Sequence, residues 1–211
     1  MPADLPAWSC LGTGLVLGLR HALDADHLLT VSALALGATD RRHAARAGLL
    51  WGAGHGLALL AVAGLAGLLP GVDPLVSPRL LEGLVAVTLL TLGVRLAWRA
   101  GRPSSLLGSG PLPAADHAAS HGLPFVTGLL HGWAGSAALT LGTALALGTP
   151  GQRFLFLGSF SLAALSGMGV VGLLLASPRL RPDRRRLGLQ RALHAGVAAA
   201  ALVVGTRLLV G

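Results

Sequence analysis

Charge is what this sequence has least of. Only 11% of its 211 residues are Asp, Glu, Lys or Arg, where a soluble domain carries about 25%. Lysine is absent, so all 16 cationic side chains are arginine, against eight acids. A single cysteine, Cys10, excludes an internal disulfide framework and any CxxC pair, and with them a thiol–disulfide electron carrier. Aromatics make up 4% and do not interleave with the arginines, which argues against a nucleic-acid surface. The start, Met1 to Trp8, lacks a basic region ahead of the first apolar run, so no signal peptide is expected there.

What is present is apolar: 53% hydrophobic residues and a mean hydropathy of +0.72. Six stretches, 9–37, 44–69, 79–100, 123–148, 153–176 and 188–210, each reach the roughly 20 residues that cross a bilayer as a helix. The expected fold is an all-α membrane protein of six transmembrane helices. Glycine is abundant, with 31 residues. In lipid such small residues let helices approach closely. The arginines fall mainly in alternate connections: Arg41, Arg42 and Arg46, then Arg99 and Arg102, then Arg179, Arg181, Arg184, Arg185 and Arg186. The positive-inside rule puts those connections in the cytoplasm and both termini outside a cell inner (plasma) membrane.

The two ends of the chain echo each other. Gly18-Leu-Arg-His21-Ala matches Gly128-Leu-Leu-His131-Gly at an offset of 110, and Arg79, Gly93 and Arg95 match Arg191, Gly205 and Arg207 at an offset of 112. Ser77-Pro-Arg-Leu80 also recurs as Ser177-Pro-Arg-Leu180, at a different place relative to the span that follows. Three spans per half is an odd number, so the halves are expected to be inverted repeats, an architecture that sets a transporter's substrate site near the midplane. The resulting division is 1–100 as the first three-helix repeat, 101–122 as a flexible cytoplasmic linker rich in Pro, Ser and Gly, and 123–211 as the second repeat.

One cluster breaks the apolar pattern: His21-Ala-Leu-Asp24-Ala-Asp26-His27. Each ionisable group at bilayer depth costs at least about 2.5 kcal/mol on insertion scales, so four together require a reason. Imidazole and carboxylate are ligands for Ni, Co, Zn, Cu(II) and Fe. On a continuous helix, at 100° per residue, His21, Asp24 and His27 share a face and Asp26 points away. Asp26 would then orient an imidazole or pair with Arg20 or another helix. If the helix unwinds near Ala25, all four converge. The competing reading is a polar network that locks helices together. His55, in Gly52-Ala-Gly54-His55-Gly56, is a neighbouring candidate from the next span, and otherwise a buried histidine bonded to a carbonyl. His131 and Ser136 are candidates for a pathway wall, with Ser136 and Thr140 also readable as packing hydroxyls. Glu82 and His194, at equivalent repeat positions, read as facing water or headgroups. His117 and His121, beside Asp116, could collect metal at the cytoplasmic mouth. His43 reads as a solvated loop residue and Cys10 as packing.

These residues resemble a known family. His21-x4-Asp26-His27, with Asp24 inside it, is similar to the His-x4-Asp-His signature of the nickel/cobalt transporter (NiCoT) permeases, and Gly54-His55 resembles that family's second motif one span later. The resemblance implies a metal-binding role for His21, Asp24, Asp26, His27 and His55. It also implies a permease driven by protons or membrane potential without ATP hydrolysis, and Ni(II) or Co(II) as the transported substrate. It departs in two places. Typical members have eight spans, and they carry an acidic Gly-Phe-Asp-Thr-Ala-Thr-Glu-like motif where this chain reads His131-Gly-Trp-Ala-Gly-Ser-Ala-Ala-Leu139. That wording resembles the smaller, urease-associated nickel permease branch. The expectation is a metal permease rather than an enzyme, with a divalent ion and the bilayer as its partners, no nucleic acid and no resident cofactor. An exporter of the same fold, or the membrane subunit of a larger importer, are the alternatives. A membrane metalloenzyme is a third, with no HExxH motif to favour it.

Overall fold

Within hydrocarbon, a backbone segment has to satisfy its own N–H and C=O groups, which favours helices. The computed structural model of the chain describes residues 6–38, 40–68, 78–101, 115–134, 136–175 and 184–210, and these contain helices and no strand. They are α1 (Ala7–His21), α2 (Ala25–Gly37), α3 (Arg41–Leu68), α4 (Pro78–Ala100), α5 (Ala115–Trp133), α6 (Ser136–Leu145), α7 (Pro150–Leu175) and α8 (Arg184–Val210). Four of them hold segments long and apolar enough to cross a membrane: Arg41–Val62, Arg79–Ala100, Pro150–Leu175 and Gly188–Val210. Large apolar side chains on their outer faces, such as Val94, Phe154, Leu174 and Val203, are more than half exposed. In water so much exposed apolar surface would be a liability; against lipid tails it is the solvated face.

The remaining two predicted spans, 9–37 and 123–148, are not single helices. The first is α1 followed by α2, the second α5 followed by α6. At about 1.5 Å per residue, α1 reaches about 22 Å and α2 about 20 Å, so neither crosses a hydrocarbon core of about 30 Å alone. The break has a local cause. Aspartate disfavours helix interiors because its side chain competes for local hydrogen bonds, here with His21. Asp24 adopts an extended conformation (φ −61°, ψ 144°), and its carbonyl accepts the first bond of α2 from Leu28 N–H at 2.8 Å. Upstream, Leu23 N–H to Arg20 O and Asp24 N–H to His21 O, both 3.0 Å, tighten the end of α1. At the other break, Ala134 N–H is shared between the carbonyls of Leu130 and His131, each at 3.2 Å.

Helix α1 packs chiefly along α7, α5 along α3, α3 along α7, and α4 along α8, while α2 sits among α3, α4, α7 and α8. Glycine makes the closest approaches. A Cβ on Gly18 of α1 would meet the Phe160 carbonyl of α7, and one on Gly128 of α5 would meet the Trp51 carbonyl of α3. The α4–α8 contact is reciprocal. A Cβ on Gly93 would lie 3.0 Å from Leu202 Cγ and 3.2 Å from Ala198 O; one on Gly205 would lie 3.0 Å from Leu90 Cγ and 3.1 Å from Ala86 O. The largest core cluster gathers Cys10, Val31, Trp51, Phe156, Phe160 and Met168 from α1, α2, α3 and α7.

Of the expected linker, 102–114 lies outside the described residues, while 115–122 forms the first turns of α5 rather than loop. His43 is in the first turn of α3, not in a loop. Asp40 caps that helix, accepting from His43 N–H at 2.9 Å and from His43 Nδ1–H at 2.8 Å. Those bonds, the backbone one first, hold the Asp40 carboxyl below its ordinary range.

The glycine contacts predict an asymmetric response to methyl insertion. Gly18→Ala pushes a methyl against the Phe160 carbonyl and to 3.0 Å from Ala163 Cβ, and is expected to cost about 1–3 kcal/mol of folded stability. Gly83→Ala, with nothing within 4 Å of the new methyl, is expected to leave stability unchanged or slightly raised. Unfolding of the two variants in detergent micelles by titration with SDS measures the difference.

Candidate metal centre

The break between α1 and α2 puts imidazoles where three helices meet. His21 is the last residue of α1, His27 lies in the first turn of α2, and His55 lies midway along α3. All three are buried, His27 and His55 completely. Their ring centroids are 4.2 Å apart for His21–His27, 5.1 Å for His21–His55 and 4.9 Å for His27–His55. Phe160 closes one side, 5.1 Å from His21. Trp51, one helical turn before His55, stacks on that imidazole at 5.4 Å and 12°.

Each of the two motif carboxylates holds one imidazole. His21 Nδ1–H donates to Asp24 Oδ2 at 2.8 Å, and His27 Nδ1–H donates to Asp26 Oδ1 at 2.9 Å. An ionised carboxylate only accepts, so the Nδ1 atoms carry the protons and, in the neutral rings, the Nε2 atoms carry the lone pairs. This is the arrangement by which a carboxylate orients a metal-binding histidine. Asp24 therefore spends its side chain on His21 and makes no cap bond to α2. Its carboxylate is 47% exposed beside the buried His21. His27 Nε2 and His55 Nδ1 are buried with no hydrogen-bond partner, and His21 Nε2 faces His55 Nε2 at 3.1 Å.

One ring nitrogen from each of His21, His27 and His55 can be chosen so that all lie within 4.8 Å of one another. Nitrogens bound to one transition-metal ion at about 2.1 Å are at most about 4.2 Å apart, so small side-chain rotations would close the three on a cation. Two nitrogens 3.1 Å apart subtend roughly a right angle at such an ion. Chemically this is a borderline-soft, all-nitrogen half shell that leaves further positions for water.

The other sequence candidates fall as follows. His131, at the end of α5, is buried but stands outside the trio, with its ring 6.0 Å from His27. Its Nδ1–H donates to the Thr127 carbonyl at 2.9 Å and its Nε2 lies 3.2 Å from Thr30 Oγ1. The side chains of Ser136, Asp116, His117 and His121 lie outside the described residues. His194, expected near water, is buried and bonds the Gln190 carbonyl at 2.7 Å. Glu82 is half-buried, and Cys10 sits in the core cluster. Sequence reasoning missed Thr30 and Trp51. Their only signal was spacing: Thr30 follows Asp26 by four residues and Trp51 precedes His55 by four, one helical turn in each case.

Over 76% of its length the chain is 27% identical to a urease accessory protein, UreH, of Bacillus sp. (strain TB-90), of which the alignment covers 73%. No protein-family model matches the chain, and no solved structure matches it. The similarity supports the urease-associated side of the resemblance rather than the NiCoT permeases as a whole. The four helices long and apolar enough to cross a bilayer mark a multi-pass, membrane-type helical protein.

The hydrogen bonds fix which ring nitrogen is protonated. In the metal-free protein at neutral pH, ¹⁵N spectra of histidine-labelled sample are expected to show the Nδ1–H form for His21, His27 and His131. Asp26→Ala, which removes the acceptor of His27 Nδ1–H, is expected to release that preference at His27 alone; unchanged spectra would mean that the carboxylate does not set the tautomer.

Proposed function

We propose that this chain is a permease for divalent transition-metal ions, Ni(II) before Co(II), working in the uptake direction across the cell inner membrane. The observation that carries the reading is the trio of buried imidazoles at the α1–α2 break, with its unpartnered His27 Nε2. An apolar core gains nothing from a buried lone pair without a donor, whereas a cation satisfies it. Nickel rests on two supports: the resemblance to the urease-associated nickel permeases, and the similarity to a urease accessory protein.

In this reading His21, His27 and His55 are the direct ligands. Asp24 and Asp26 act from behind by holding the Nδ1–H groups, and their two negative charges balance the dication so that the loaded site is close to neutral, which limits the cost of burying it. Asp24, half exposed, gives the entering ion an anionic threshold. Ser136 belongs to the proposed pathway beyond the site. Six crossings arranged as two inverted repeats, α1–α4 and α5–α8, are part of the proposal. The paired Gly18–Phe160 and Gly128–Trp51 approaches support it, as do the reciprocal Gly93 and Gly205 contacts, whose partners Leu90 and Leu202, and Ala86 and Ala198, share the 112-residue offset. Broken helices α1/α2 and α5/α6 would then take corresponding positions in the two halves, as expected of a transporter's midplane site. The arginine-rich connections place both termini outside.

The test is nickel uptake into proteoliposomes holding the purified chain, with cobalt and zinc as competitors. His21→Ala, His27→Ala and His55→Ala are each expected to abolish uptake while the protein remains folded; wild-type uptake in a folded His27→Ala protein would refute the reading. Efflux from loaded vesicles without uptake would reassign the direction to export. Asp24→Asn and Asp26→Asn are expected to weaken nickel binding by about 10–100-fold rather than abolish it. Protons compete with the metal for the same nitrogen lone pairs, so binding is expected to fall as pH is lowered through the imidazole range and to recover on return.

A further inference from the structure

The proposed site leaves a buried imidazole beside it unused. His131 lies in the last turn of α5, 1% exposed, with its ring 6.0 Å from His27 and 5.1 Å from Trp51. Its Nδ1–H is committed to the Thr127 carbonyl at 2.9 Å, so in the neutral ring the lone pair is on Nε2. That nitrogen meets only Thr30 Oγ1, at 3.2 Å. Thr30 has one hydroxyl proton, shared between the Asp26 carbonyl at 2.8 Å and this nitrogen. The His131 Nε2 lone pair is thus a second nitrogen donor, buried beside His27, facing a hydroxyl that a cation can displace.

Resting on the permease reading, we propose that His131 is the next ligand for the cation after the trio. Divalent borderline metal ions pass from His21, His27 and His55 to a position shared by His27 and His131, with the Thr30 hydroxyl marking the step between them. His27 is the common member because its Nε2 has no other partner and its ring is near both His21 and His131. The handover asks for rotation of two side chains, not for a new site. Asp26 takes part in both positions: its carboxylate fixes His27 and its carbonyl fixes Thr30. His131 also stands 110 residues after His21, in the last turn of α5 as His21 is in the last turn of α1, so the ion would move from the break of one half toward the break of the other.

Two variants test this. His131→Gln is expected to bind nickel with unchanged affinity at equilibrium, through the trio, while nickel uptake in proteoliposomes falls by about tenfold or more. His131→Cys puts a thiolate at the second position. When loaded with cobalt it is expected to show thiolate-to-cobalt charge-transfer absorption that the wild-type protein, whose Cys10 lies in the core cluster, does not show. Full uptake by His131→Gln, or cobalt bound to His131→Cys without the new absorption, overturns the handover and leaves the trio as the whole site. A wild-type chain that binds no nickel overturns the permease reading itself, and this inference with it.

Discussion

Two carboxylates, each held against the Nδ1–H of a neighbouring imidazole, are the interaction on which the rest depends. Buried among apolar helices, an imidazole N–H left without an acceptor would cost about 1–3 kcal/mol. The Asp24–His21 and Asp26–His27 bonds satisfy both partners within seven residues of chain. They also decide the backbone. Asp24 in extended conformation stops α1 and starts α2, and the turn between them lets His21 and His27 face each other across 4.2 Å. The same two bonds turn the Nε2 lone pairs inward, that of His21 toward His55 Nε2 at 3.1 Å and that of His27 without a partner. Structure and chemistry follow from one local arrangement.

Packing then brings the third helix to that break. Helix α3 reaches it because α5 lies against α3 at Gly128 and α7 receives α1 at Gly18, each with backbone in contact and no Cβ between. Close approach of this kind substitutes for the hydrophobic driving force that lipid does not provide. Trp51 and Phe160 wall the centre with aromatic rings, and the three imidazoles are buried between them. The outward faces of the same helices are apolar and exposed, as a membrane protein's must be.

Much of this was legible in the residues. The scarcity of charge and the long apolar runs announce membrane helices, and the density of ligand types in His21–His27 marks the site within one motif. His55 was within reach because Gly54 and Gly56 leave room around it. The break was harder. Sequence geometry on a continuous helix puts Asp24 on the same face as His21 and His27, with Asp26 averted; interruption at Ala22–Asp24 rotates α2 relative to α1 and gives each carboxylate its own imidazole. Thr30 and Trp51 were invisible for a different reason. A threonine in an apolar helix and a tryptophan beside a histidine are ordinary packing residues until the fold supplies their partners. Burial of His194 likewise depends on where α8 lies, which no local pattern encodes.

The central claim is that three neutral imidazoles, aimed by two carboxylates, close on one divalent ion. Anomalous diffraction from nickel-soaked crystals, measured at the nickel absorption edge, tests it most directly. The expected result is a single strong peak within bonding distance of a ring nitrogen from each of His21, His27 and His55, with Asp24 and Asp26 still bonded to the Nδ1 atoms. A peak elsewhere, or a nickel bound directly by the carboxylates with the imidazoles turned away, would contradict it.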